Sequence, residues 1–306
     1  EGTITLPVKK LNSIAKEADG NQILMQLNGE VCAIESGAYS TKMNGLPAEE
    51  FPPKVDFSED GTIRNKQKKL RSMIKRTVYA VSNDENRYVL NGLYVSFKGE
   101  KLTIVATDGR RLAMAEQEVE QKKEELPDII VPTKAIQELN RLLGEEGQIE
   151  LKINENQASF ETIDKEGNTD VQIVTKLVEG AYPNYKQVIP SESKHRVSID
   201  KEELLSAVKR ASIMTSEKAN SIKLTFSENN LLITSNTPEI GESRETMAIK
   251  YSGEETSIAF NPQFLIDPLT AMEEKEIDFE FTDQLSPGVI RTKQPFLYVI
   301  MPMRTS

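Results

Sequence analysis

The chain has little of what most catalytic and secreted architectures need. Its 306 residues include one cysteine, Cys32, and one histidine, His195. A single thiol excludes an internal disulfide framework. Cys32 sits in an alternating apolar stretch with no histidine near it, and His195 lies in the polar run SESKHR, so neither a Cys-His nor a Ser-His nucleophile has local support. Metal ligation by His and Cys fails on numbers, which leaves only carboxylates such as Asp108, Asp283 and the acidic runs. There is no Walker-type or dinucleotide-type glycine loop, so no cofactor is expected. No apolar run approaches the length of a membrane span or a signal-peptide core, and the expected compartment is the cytoplasm, with no membrane partner. Glycine (16), proline (14) and a 38% hydrophobic content are ordinary for a globular protein and exclude collagen-like and disordered classes.

What the chain does have is a repeat. LRSMIKRTVYAVSNDENRYVLNGLYVSFKGEKLTIVATD, from Leu70, and LLSAVKRASIMTSEKANSIKLTFSENNLLITSNT, from Leu204, each give a Lys-Arg-bearing helix followed by an alternating hairpin. A second unit begins at Leu6 (LPVKKLNSIAKEADGNQILMQLNGEVCAIES), at Val131 (VPTKAIQELNRLLGEEGQIELKINENQASFET) and, more weakly, at Asn261 (NPQFLIDPLTAMEEKEIDFEFTD). Each copy puts a proline at the first turn of a helix, then a break, then period-two alternation. In order the chain reads back, front-back, front-back. Repeat arithmetic therefore predicts a leading front half of roughly 60 to 75 residues that this sequence does not contain. The expected domains are 1–54, a second-half remnant, then 55–190 and 191–306.

The formal charge is −10, which argues against a surface that adheres generally to nucleic acid. The charge is unevenly placed, however. Arg64, Lys66, Lys68, Lys69, Arg71, Lys75 and Arg76 fall within one stretch free of acids, whereas Glu116 to Glu125 and Glu273 to Glu280 are strongly acidic. On a helix, Arg64, Lys68, Arg71 and Lys75 form one stripe, opposed by Leu70, Met73, Ile74, Thr77 and Val81. Read alone, this is equally a solvated surface helix. Lys201, Lys209 and Arg210 occupy the corresponding helix of the next unit, and Lys9, Lys16, Lys134 and Arg141 lie on the back-half helices. Symmetry-related helices would set these cations on one side, suited to following a phosphate backbone without reading bases.

ATDGRRLA (Ala106 to Ala113), LVEGAYPNY (Leu177 to Tyr185) and YVIMPMR (Tyr298 to Arg304), with RYVLNG (Arg87 to Gly92) and YSGEETSIAFN (Tyr251 to Asn261), together resemble the signature segments of the bacterial DNA polymerase III beta subunit, the replicative sliding clamp. Alone, TDG is an ordinary turn and VIMPM an ordinary core strand. The specificity lies in several segments in the correct order along the whole chain. The resemblance implies an α+β DNA-clamp fold of repeated domains, each of two half-repeats, with helices on the inner face and antiparallel sheets on the outer face. It implies a non-catalytic processivity subunit whose head-to-tail homodimer encircles duplex DNA. The cations facing DNA would be Arg64, Lys68, Arg71, Lys75, Arg87, Lys134, Arg141, Lys201, Lys209 and Arg210.

The same resemblance implies a pocket that docks peptides of the replicative polymerase, the clamp loader and other partners. Carried over residue by residue, it comprises Leu90, Thr107, Gly109, Arg110, Arg111, Leu112, Pro183, Val188, Asn261, Phe264, Leu285, Val299, Met301, Pro302, Met303 and Arg304. Apolar side chains would make an adaptable cleft, with Arg111 and Arg304 as polar anchors at its rim. Ring closure would join Lys10, Ile14 and Met43 of one protomer to Ile213 and Met214 of another. Three departures stand out. Arg110 replaces a ring-bearing residue common in the family, Gln187 replaces a common basic one, and Thr305 and Ser306 extend past the usual ending. Two rival readings stay open: a small-molecule enzyme with an anion site at Asp108, Arg110 and Arg111, and a peptide-binding scaffold that never encircles DNA.

Overall fold

The computed structural model describes residues 2–19, 22–51, 55–58, 62–121, 126–217 and 220–304. Lys122 to Glu125 of the acidic run, and Thr305 and Ser306, lie outside them. The chain forms two compact units, Glu1–Asp56 and Phe57–Ser306.

The first unit holds helix α1 (Val8–Glu17) and the antiparallel meander β1 (Leu24–Asn28), β2 (Val31–Ser36) and β3 (Tyr39–Asn44). Burial alternates along β2, where Cys32 and Ile34 are fully enclosed. Helix α1 buries none of its residues. A hollow of about 1380 Å³ lined by Leu6, Val8, Leu11, Met25, Leu27 and Cys32 opens within this unit.

The second unit begins with β4 (Ile63–Lys66), α2 (Gln67–Thr77), β5 (Gly92–Lys98), β6 (Lys101–Thr107), β7 (Arg111–Glu118), β8 (Glu120–Gln121) and β9 (Ile129–Pro132). It continues with α3 (Thr133–Leu142), β10 (Gln148–Ile153), β11 (Gln157–Ile163), β12 (Thr169–Lys176), β13 (His195–Asp200), α4 (Lys201–Ser212), β14 (Ile222–Ser227), β15 (Asn230–Thr237) and β16 (Gly241–Ala248). It closes with β17 (Thr256–Phe260), α5 (Pro262–Ala271), β18 (Glu276–Phe281), β19 (Gly288–Arg291) and β20 (Phe296–Ile300). Three sheets result, ordered β12-β11-β10-β4-β8, β13-β18-β19-β20-β7-β6-β5-β9, and β16-β15-β14-β17. Every ladder among the described strands is antiparallel. The fold is therefore α+β, as the resemblance implied.

The repeat is visible in the elements. Helix α2 precedes the β5–β6 hairpin and α4 precedes β14–β15; α1, α3 and α5 each precede two antiparallel strands. The prolines mark the helix starts as expected: Pro7 and Pro132 are N-caps, and Pro262 follows the capping side chain of Asn261. Sequence repeats do not show how the halves join. Strand β20, from the end of the chain, pairs with β7 from the middle, so one eight-stranded sheet runs across residues 92 to 300. This shared ladder explains why residues 57 to 306 form one compact body.

Candidate peptide pocket and cationic helices

The candidate pocket residues gather around the turn that joins β6 to β7. Gly109 takes φ +85°, a conformation that side chains disfavour. The Thr107 hydroxyl accepts from Gly109 N at 3.1 Å and donates to the Arg111 carbonyl at 2.6 Å. Asp108 Oδ1 accepts from the backbone N–H groups of Arg110 and Arg111 at 2.9 and 3.1 Å. The turn is thus closed by its own side chains. It is also held from outside, since an Arg87 guanidinium nitrogen donates to the Asp108 carbonyl at 3.2 Å.

The two arginines of the turn do different things. Arg111 is only 10% exposed and donates to Asp108 (3.1 Å), to Asp267 of α5 (2.5 Å) and to the Tyr79 carbonyl (2.6 Å). Its guanidinium lies 4.4 Å from the centre of the Phe264 ring. Burial works against its charge, but Tyr298, Asp267 and Asp108 outweigh that and keep it ionised. Expected at the rim, Arg111 is instead an internal tie between β7 and α5. Arg110 is exposed; it stacks 5.2 Å from the same ring centre and makes no ion pair among the described residues. The cation that the turn leaves free is Arg110.

The C-terminal strand completes the wall. In the register of β20 on β7, Val299 lies opposite Leu112 and Ile300 opposite Arg111; Met301 N then donates to the Arg110 carbonyl at 2.9 Å. Val299 and Leu112 are buried in a cluster with Val105, Val289 and Leu297, against which Tyr182, Tyr185 and Ile189 pack. These residues are floor. Leu90 and Phe264 are buried as well, and the Phe264 carbonyl accepts from the Tyr298 hydroxyl at 2.7 Å. Asn261 caps α5 and so fixes both Phe264 and Asp267. Exposed side chains are Pro183 and Val188 on the connecting segment, with Leu285, Met303 and Arg304. The last three line a hollow of about 340 Å³, while Met301 and Pro302 are half-buried. Sequence reasoning missed Asp267 and Tyr79. The one available signal was a carboxylate inside the apolar helix FLIDPL.

The cationic helices need two corrections. Arg64 is not on a helix: it sits in β4 and pairs with Glu150 at 2.8 Å, because helix α2 starts only at Gln67. Lys201 does not face outward; it is 8% exposed, and its ammonium donates to the Met272 carbonyl at 3.1 Å. Lys68, Lys75, Lys134 and Lys209 are exposed as expected, and Arg71 partly so. Lys68 and Arg71 share Glu145, at 3.0 Å each; Arg141 pairs with Glu138, Arg210 with Glu245, and Arg87 with Asp84. The opposing stripe of Leu70, Met73, Ile74 and Thr77 is buried, whereas Val81 lies past the helix end. Of the residues expected at a protomer contact, Lys10 is exposed, Ile14 and Met43 are half-buried, Ile213 is 68% exposed and Met214 half-buried.

Family models for the DNA polymerase III beta subunit match this chain twice, its central domain at residues 64–184 and its C-terminal domain at 186–304. The chain belongs to that family. It is 33% identical over 304 residues to a beta sliding clamp of Chlamydia muridarum, covering 99% of this chain and 81% of that protein. It is 33% identical over 309 residues to the Escherichia coli K12 beta sliding clamp, covering 99% and 82%. Its fold matches a DNA polymerase sliding clamp from Bacillus subtilis at TM-score 0.92 and 29% identity, over 100% and 80% of the two chains. It matches a sliding clamp from Bartonella birtlesii, solved bound to griselimycin, at TM-score 0.90 and 30% identity over 99% and 82%.

The protein is thus a bacterial DNA polymerase processivity factor of the sliding-clamp type, non-catalytic, acting with DNA and polymerase. The rival anion-processing site fails in the geometry as well. Asp108 and Arg111 are spent on each other and on the turn, which leaves no paired acid and base facing a substrate. Among the described residues, no helix is long and apolar enough to cross a membrane, and no group of three or more His, Cys, Asp or Glu could hold a metal ion.

Proposed function

We propose that this clamp encircles duplex DNA as a head-to-tail homodimer and tethers the polymerase, the clamp loader and other partners through the pocket at the β6–β7 turn. The three-domain division 1–54, 55–190 and 191–306 belongs to the same reading, as does residence in the cytoplasm. The observation that carries it is the opposition on α2: Leu70, Met73 and Ile74 are buried, while Lys68 and Lys75 point to solvent with Arg71 beside them. A chain of net charge −10 that keeps cations on such a helix can attract phosphates weakly, in a salt-screened way that permits sliding. Topology then supplies retention. At the pocket, the exposed Leu285 and Met303 offer apolar anchorage, and Arg110 and Arg304 offer donors.

The test is retention on DNA after loading. A ring stays on closed circular DNA and leaves once the circle is cut; retention that survives cutting would favour the non-encircling scaffold. Deleting Met301 to Arg304 should abolish docking of polymerase-derived peptides without changing affinity for DNA alone. Unchanged docking would remove the pocket assignment.

A further inference from the structure

A row of cations on the outer face of the sheet β16-β15-β14-β17 is not absorbed by either function above. The register sets Arg244, Thr234, Lys223 and Ala259 directly opposite one another on the four strands. Opposed residues share a face. The adjacent row, Glu245, Ile233, Leu224 and Ile258, turns inward: the three apolar members are buried, and Glu245 is held by Arg210. Lys223 and Arg244 therefore point away from the core, and both are exposed. The chain end extends the row, because Met303 N donates to the Ala259 carbonyl at 2.7 Å. This brings Arg304 and Met303 to the hollow that Lys223, Ser257, Ala259, Gln284 and Leu285 also line.

Arg304, Lys223 and Arg244 make no ion pair among the described residues, in a chain with 48 acidic side chains. Glu242 is two residues from Arg244 on the same strand face, and Asp283 is occupied by the Leu285 and Ser286 N–H groups and the Ser286 hydroxyl. The rings of these strands, Phe226 and Phe260, are fully buried, so this face has no stacking platform for nucleic acid bases. It has apolar anchors at one end and unpaired cations leading away from them.

We propose that Arg304, Lys223 and Arg244 form an acid-reading extension of the peptide pocket, over which the segment flanking the docked apolar residues lays its carboxylates. This rests on the pocket reading given above. Strands are about 4.8 Å apart, so Lys223 and Arg244, two strands apart, are separated by roughly 10 Å at the backbone. A peptide in the polyproline II conformation advances about 3.1 Å per residue with three residues per turn, so acidic residues three positions apart lie on one face about 9 Å apart.

The experiment uses the full chain and labelled probes: griselimycin, an apolar hexapeptide with an Asp-Ser-Ser-Asp tail at its N- or its C-terminus, the same two peptides with Asn for Asp, and a single-stranded oligonucleotide. Fluorescence anisotropy at low salt should show one Asp-tailed peptide bound about threefold to tenfold tighter than its Asn counterpart, as expected for two exposed charge pairs. High salt should erase the difference. The double variant Lys223→Gln/Arg244→Gln should lose the preference and bind griselimycin and the Asn-tailed peptides as before. Equal binding of Asp and Asn tails, with griselimycin still bound, would overturn the extension alone. Failure of griselimycin and both tails to bind would remove the pocket and the extension together. Lys223- and Arg244-dependent binding of a single-stranded oligonucleotide, without a tail preference, would assign the row to nucleic acid instead.

Discussion

Helices α2 and α4 are the same repeat position written twice, and they use their cations differently. Aligning Leu70 with Leu204 sets Gln67 against Lys201, Arg71 against Leu205, Lys75 against Lys209 and Arg76 against Arg210. Gln67 and Lys201 are both buried and both donate to carbonyls beyond the following back-half helix, Gln148 at 3.1 Å and Met272 at 3.1 Å. That role is shared although the chemistry is not. Arg76 and Arg210 diverge: Arg76 is 8% exposed and lies 2.8 Å from Glu274 without an aligned hydrogen bond, whereas Arg210 grips Glu245 with two bonds at the surface. Arg71 is partly exposed where Leu205 is buried, because α4 packs on α5 over more of its surface. An identical Lys-Arg pair in the repeat thus does not fix what its arginine does: Arg76 is buried, and Arg210 is held at the surface.

The largest expected break in the symmetry is Arg76→Ala. It strands the largely buried Glu274 and should destabilise the protein by about 3 kcal/mol in urea unfolding, while Arg210→Ala should remain within about 1 kcal/mol. Equal losses would show that burial does not distinguish the two. Next, Gln67→Ala and Lys201→Met should each cost about 1 to 3 kcal/mol by leaving backbone groups without partners. A neutral result for Lys201→Met would show that its ammonium contributes nothing beyond packing.

Smaller still is the DNA effect. Charge reversal at Lys68, Arg71 and Lys75 should weaken DNA binding on the order of tenfold at low salt and reduce the salt slope by about one for each phosphate no longer neutralised, against little change for Lys201→Gln. A matching drop in affinity for Lys201→Gln would contradict its buried position. The smallest effect concerns protonation. Lys68 and then Arg71 hold the Glu145 carboxyl below the ordinary carboxylate range, and Arg210 does the same for Glu245. A depressed folded value contributes stability that is complete above the unfolded value and is lost as pH falls through the folded one. NMR titration should place both midpoints below the unfolded value, and Lys68→Ala should raise that of Glu145 alone.

Much of this was legible in the residues. Period-two alternation identifies β2, β10, β14 and β15, prolines locate the helix starts, and the buried stripe of α2 follows from its spacing apart from Val81. The helix start is the weak point. Extending α2 back to Arg64 fails because Ile63–Lys66 pairs with β10, and a long-range ladder has no local signal. Lys201 departs from its expected outward position for a related reason, since its partner carbonyl is 71 residues away.

The amino-acid sequence by itself determined the repeat, the α+β class, the family and the segments assigned to the candidate pocket, because each is carried by local periodicity or by ordered motifs. Only the tertiary structure decided which charges are spent and which are free. Arg111 is consumed by Asp108 and Asp267, Arg110 is left on the Phe264 ring, and Arg304, Lys223 and Arg244 align across strands far apart in the chain. A charge is neutralised by whatever packing brings within a few ångströms, and that distance is set by register and crossing of elements, which no local stretch of residues contains.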